Sequence, residues 1–137
     1  MPKSLSLSAR CGRIHLTLKL FRMGDDVQIH LSGGQAHIGA VALAGWNAAP
    51  AHITVPPHRE GELALRMAQS LSDALRCTVC VSAGIHFDSI RREEIRRVEE
   101  LADALTQRCL TMCLACFDRT APSTAAHRSA TSSAVVL

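Results

Sequence analysis

Three short stretches of the 137-residue chain carry side chains that could do chemistry together: QAHIGA at residues 35–40, PPHRE at 56–60 and GIHFD at 84–88. Each holds one histidine, His37, His58 and His86, and the last two add the carboxylates Glu60 and Asp88. Imidazole exchanges a proton near neutral pH and binds divalent metals. With a carboxylate to orient it, it acts as a general acid or base. Arg59, Arg91 and Arg92 flank the second and third stretches, and glycines at 33, 34 and 39 would let a ligand approach the backbone. Phosphate capture, acid–base catalysis and metal binding are therefore all open. No residue stands out as a nucleophile, and neither a Gly-Lys-Ser/Thr phosphate loop nor GxGxxG is present. Zinc on His37, His58 and His86, with Glu60 or Asp88 as fourth ligand, lacks any short ligand spacing, and we assign no metal. Blander roles compete for each residue: Asp88 or Ser89 as a helix N-cap, Gly33-Gly34 as a hairpin turn.

The cysteines read as core thiols. Cys77 and Cys80 lie three apart on a predicted strand, so they point to opposite faces and chelate poorly. Cys109, Cys113 and Cys116 share the CxxxCxxC spacing of radical S-adenosylmethionine enzymes, but here they continue the apolar stripe of a helix.

The elements that must position the histidines follow from periodicity. Ile14, Leu16, Leu18 and Leu20 alternate with polar residues between Arg13 and Phe21, a strand with one buried face. After the Gly24-Asp25-Asp26 turn, Val27, Ile29 and Leu31 form a second strand. The run Ala36 to Ala44 is apolar on both faces, as in a central strand, and His52 to Val55 makes a short fourth. Leu63, Met67, Leu71 and Leu75 then mark an amphipathic helix, with Ala64, Ala68 and Ala74 beside them and Pro56-Pro57 near its first turn. Cys77 to Gly84 is a buried strand. A second helix from Ser89 carries the stripe Ile95, Val98, Ala102, Leu105, Cys109, Met112 and Cys116, with Glu93–Arg97 and Arg96–Glu100 pairs on its solvated face.

The order ββββ–α–β–α predicts an α+β domain over residues 1–117: an antiparallel β-meander with a β-α-β-α C-terminal half and two helices packed on one face. The Ala/Ser/Thr-rich tail, 118–137, is expected to be disordered. A hairpin between the third and fourth strands, and a crossover making the fourth and fifth parallel, would bring His37, His58 and His86 to one rim beside two helix N-termini. That rim is a seat for phosphate.

Composition narrows the classes further. Aromatics are 3% of residues and the net charge is only +3, with arginines interleaved among glutamates, so nucleic-acid binding is not expected. No stretch has the length of a signal peptide or membrane span, and six cysteines suit a reducing compartment, so a cytoplasmic location is expected. A small one-sheet domain leaves a face or edge to cover, which suggests a homodimer.

Taken together, HIGAVALA (37–44), PHRE (57–60) and GIHFD (84–88) resemble the LpdD-type proteins, small accessory subunits of gallate-decarboxylase-like systems described as prenylated-flavin chaperones. The similarity runs in order from about Ile14 to about Leu110, with Pro57 where the family often has glycine. It implies a fold like the small proteasome-assembly chaperones and a non-catalytic role, binding prenylated FMN transiently for delivery to a UbiD-type decarboxylase. The cofactor-binding residues it implies are His37, Ile38, Gly39, His58, Glu60, His86 and Asp88. A flavin also needs an apolar wall, which Ala40, Val41 and Ala42 are small enough to form. The alternatives are a small enzyme using the histidines on an anionic substrate and an adaptor that binds only protein.

Overall fold

The computed structural model describes the backbone of residues 1–119 and the side chains of residues 1–116; most of the expected tail lies outside these residues. Along the chain run β1 (Ser4–Cys11), β2 (Ile14–Met23), β3 (Asp26–Gly34), β4 (Ala40–Ala44), β5 (Ala51–Thr54), α1 (Gly61–Leu75), β6 (Val79–His86) and α2 (Arg92–Arg119). One six-stranded sheet has the order β1-β2-β3-β6-β4-β5. The expected α+β class holds, with a change in the sheet: only β1, β2 and β3 form an uninterrupted antiparallel meander. Strand β6 is inserted parallel to β3, and β4 pairs antiparallel with β6 on its far side. The sheet is therefore mixed.

Strand β1 went unread in the sequence, although Leu5, Leu7 and Ala9 alternate there with serines. It pairs along its whole length with β2. In β2 and β3 the buried faces are the ones periodicity marks. Leu16, Leu18 and Leu20 of β2, Val27, Ile29 and Leu31 of β3, and Val79, Val81 and Ala83 of β6 form one layer. Both helices cover that same face: α1 through Leu63, Met67, Leu71 and Leu75, α2 through Val98, Ala102, Leu105, Cys109 and Cys113. Burying these side chains takes apolar area out of water, which stabilises the domain. Among the described residues, no helix is long and apolar enough to cross a membrane.

The stripe of α2 differs from the expected one in detail. Ile95 and Met112 face solvent, Glu94 is buried, and Cys113 takes the inward place. Cys77, Cys109 and Cys113 are buried, in keeping with their reading as core thiols, whereas Cys80 and Cys116, read the same way, are only half-buried and Cys11 is exposed. Burial pushes the Cys77 thiol up to about 11.

The insertion of β6 dictates the path of the chain before β4. From the end of β3 the chain must cross over the end of β6 to reach its other side, so residues 35–39 are irregular and β4 starts at Ala40, not Ala36. The crossing is tight. A Cβ on Gly84 would lie 1.6 Å from the carbonyl oxygen of His37, and one on Gly34 would lie 1.9 Å from that of His86. Gly34 also has φ +66°, a conformation glycine adopts at little cost. Hydrogen bonds from Gln35 N–H to His86 O (3.0 Å) and from Gly39 N–H to Ala83 O (2.9 Å) pin the crossing at both ends.

Candidate functional site

Strand directions gather the three histidines. Both β5 and β6 run antiparallel to β4, so they are parallel to each other with β4 between them. The ends of β3, β5 and β6 and the start of β4 meet at one rim. His37 lies on the crossing segment, His58 on the turn after β5, and His86 at the end of β6. That turn contains a cis Pro56–Pro57 peptide bond, and His58 N–H donates to Val55 O at 2.9 Å.

His37 is the centre of the cluster. Its Nδ1 lies 2.9 Å from the carbonyl oxygen of Gln35. A carbonyl only accepts, so Nδ1 carries the proton and the neutral ring presents a bare Nε2. That Nε2 is 3.1 Å from His58 Nδ1 and 3.5 Å from Glu60 Oε1. The two rings lie 4.2 Å apart between centroids, tilted by 36°.

Glu60 precedes the first residue of α1 but makes no side-chain cap to that helix. Its carboxylate turns inward instead, where only 11% of the side chain is exposed. Oε1 accepts the Ile85 N–H at 3.2 Å, while Oε2 is buried without a hydrogen-bond partner. Gly39 makes room: a Cβ there would lie 2.5 Å from Glu60 Oε2 and 3.0 Å from His37 Nε2.

His86 stands at the margin. Its ring is 6.5 Å from that of His37, edge-on, and its Nε2 pairs with Asp88 Oδ1 at 3.0 Å in an exposed contact. Asp88 is thus the partner of His86 and not the cap of α2. Ile38 is 65% exposed.

The expected phosphate seat between two helix N-termini is altered. At α2, Glu94 accepts the Arg91 N–H at 3.2 Å and is clasped by Arg13 at 2.7 Å and Arg91 at 3.1 Å. Hydrogen bonds from the Arg13 side chain and the Arg91 backbone hold its carboxyl down at about 2. Glu94 thus takes the N–H just ahead of α2 and engages the Arg91 side chain. The expected apolar wall is altered too: Ala40 and Ala42 lie in the core beneath α1, leaving only Val41 on the helix-free face.

A groove of about 350 Å³ opens beside His37 on the helix-free face, lined by Lys19, His30, Leu31, Ser32, Ala36, His37, Ile38 and Ser82. That is within the size range of small-molecule sites. Its cationic and hydroxyl groups come from the outward positions of β2, β3 and β6, and the sequence reading named none of Lys19, His30, Ser32 or Ser82 as site residues. Their signal was the polar phase of strands noted for their apolar phase. What is not in the sequence is the adjacency of β3 and β6 that places His30 and Ser82 side by side.

No curated protein has a sequence that matches this chain. Among solved structures, the chain is similar to one from a chaperone complex for yeast 20S proteasome assembly, with 11% identity, a TM-score of 0.47, and coverage of 86% of this chain and 98% of that one. The model of the prenylated flavin chaperone LpdD-like domain matches residues 10–114, a span that includes every strand from β2 onward, His37, His58 and His86, and most of α2. The chain belongs to that family.

Proposed function

We propose that the chain is a non-catalytic accessory protein that binds a phosphorylated, prenylated flavin transiently and passes it to a UbiD-type decarboxylase. The observation that carries this reading is the groove beside His37, in a chain of the prenylated flavin chaperone family. Lys19 supplies a cationic group and His30 a ring nitrogen for a phosphate, Ser32 and Ser82 supply hydroxyls, and Ala36 and Ile38 supply apolar surface for a ring. Glu60 and Asp88 repel a phosphate at close range, so neither holds it: Asp88 orients His86, and Glu60, held by the Ile85 N–H, closes the site behind His37. His58 and Gly39 complete the inner wall behind His37. When bound, the flavin is cargo: its chemistry is done in the client enzyme. A shallow, open site of few contacts suits a carrier that must release what it binds.

In this reading the protein works in the cytoplasm as a homodimer. Supporting the dimer, the helix-free face exposes Leu43 and Ile53 at the β4–β5 edge, apolar surface that a second copy would cover. Native mass spectrometry on protein purified from cells that make prenylated FMN tests the proposal. A flavin-mass adduct is expected on the wild type, lost in Lys19→Glu and His37→Ala. A wild type that never carries flavin overturns the proposal. Conversion of an aromatic acid by the isolated chain would favour the enzyme reading instead.

A further inference from the structure

His37, His58 and Glu60 form a group whose donor atoms all lie within 4.8 Å of one another, and we propose that it holds a divalent transition-metal ion of the zinc class. The geometry of the group is independent of flavin binding.

Spacing comes first. A tetrahedral ion with bonds of about 2.0–2.1 Å sets its ligand atoms roughly 3.3 Å apart. The separations here, 3.1 Å from His37 Nε2 to His58 Nδ1 and 3.5 Å from His37 Nε2 to Glu60 Oε1, bracket that value.

The second point is preparation of the ligands. A metal-bound histidine characteristically donates its other ring N–H to a carbonyl or carboxylate, which fixes the tautomer. His37 does this through Nδ1 and Gln35 O, leaving Nε2 as a lone-pair donor. Glu60 is fixed likewise, with the Ile85 N–H on Oε1.

The third point is the orphan. A simple His58-to-His37 hydrogen bond leaves Glu60 Oε2 buried without a partner, a costly arrangement. A cation held by Glu60 and both ring nitrogens neutralises that buried carboxylate and lowers the cost of leaving Oε2 unpaired. Gly39 keeps the space beside Oε2 and Nε2 free of a side chain. Two imidazoles and one carboxylate suit zinc, cobalt or nickel and leave a fourth position for water or an anionic oxygen. His86, paired with Asp88, stands outside the set.

The test is a titration of the full chain, stripped with chelator, with Co²⁺ and separately with Zn²⁺. Tetrahedral cobalt with nitrogen and oxygen ligands gives visible d–d bands without the near-ultraviolet thiolate charge-transfer band. Those bands, together with one equivalent of Zn²⁺ by calorimetry, are expected. Glu60→Gln should weaken binding about tenfold or more and His58→Ala about a hundredfold, with His86→Ala unchanged. Far-ultraviolet dichroism of each variant in chelator separates a lost ligand from a lost fold, and Glu60→Asp, which keeps the carboxylate, should retain part of the affinity. No cobalt bands, a thiolate signature, or equal affinity in Glu60→Gln and His58→Ala would each overturn the proposal.

Discussion

Gly84→Ala tests the crossing on which the whole site depends. The added Cβ would sit 1.6 Å from the carbonyl oxygen of His37, 2.5 Å from its carbonyl carbon and 3.1 Å from its nitrogen. All three are backbone atoms, so no rotamer change relieves the clash. Ordinary contact starts near 3.4 Å, so the His37 carbonyl would have to lift by about 2 Å. The bonds from Gln35 N–H and Gly39 N–H resist that movement, and at least one must stretch or break. Overpacking costs about 1–3 kcal/mol, and a lost backbone hydrogen bond adds about 1 kcal/mol. A total of about 3 kcal/mol corresponds to a fall in Tm of roughly 10 °C for a domain of this size. His37 would leave its 3.1 Å contact with His58, so Co²⁺ binding should weaken as well. Gly39→Ala is the control: its Cβ meets only the ends of the Glu60 and His37 side chains, which can turn away. It should disturb the site with a Tm loss of about 4 °C or less, on the order of 1 kcal/mol. Calorimetric melts of both variants, with cobalt titrations, make the comparison. A Gly84→Ala protein that melts within about 2 °C of wild type would refute the crossing geometry.

Two further outcomes follow from the titrating groups. Glu94 is held at about 2 against an ordinary 4.5, so the unfolded chain binds its proton more readily than the folded one. Its contribution is therefore present above pH 4.5 and is lost as pH falls from there toward 2. Denaturant melts of wild type and Glu94→Gln should show a stability gap at pH 6 that narrows by pH 3; a constant gap would refute the Arg13–Glu94 clasp as its cause. Among the thiols, Cys11 is exposed and should react first with a thiol reagent at pH 8, while Cys77, raised to about 11 by burial, stays protected until the domain unfolds. Peptide mapping that finds Cys77 modified as fast as Cys11 would contradict the buried placement.

Much of the domain was legible in local patterns. A period of two marks which face of β2 and β3 is buried, and a period near four marks the inward face of α1, because both depend only on backbone geometry within one element. The positions of His37, His58 and His86 at element boundaries were legible for the same reason, as was the family resemblance carried by the stretches around them. Strand order was not. The placement of β6 between β3 and β4 arises from pairing between segments far apart in the chain, and no periodicity reports it. From that one insertion follow the irregular segment ahead of β4, the passage of His37 over Gly84, and the groove between Lys19, His30 and Ser82. Side-chain partnership also waited on the fold. Glu60 and Asp88 are equivalent carboxylates in the sequence, yet only Glu60 turns into the His37 cluster, because the Ile85 N–H reaches it there. Glu94 lies inside an apolar stripe because Arg13, 81 residues away in the chain, arrives to neutralise it. The sequence alone determined which residues could act; tertiary pairing decided which of them meet, because contacts between distant segments are priced by the whole sheet and not by any one element.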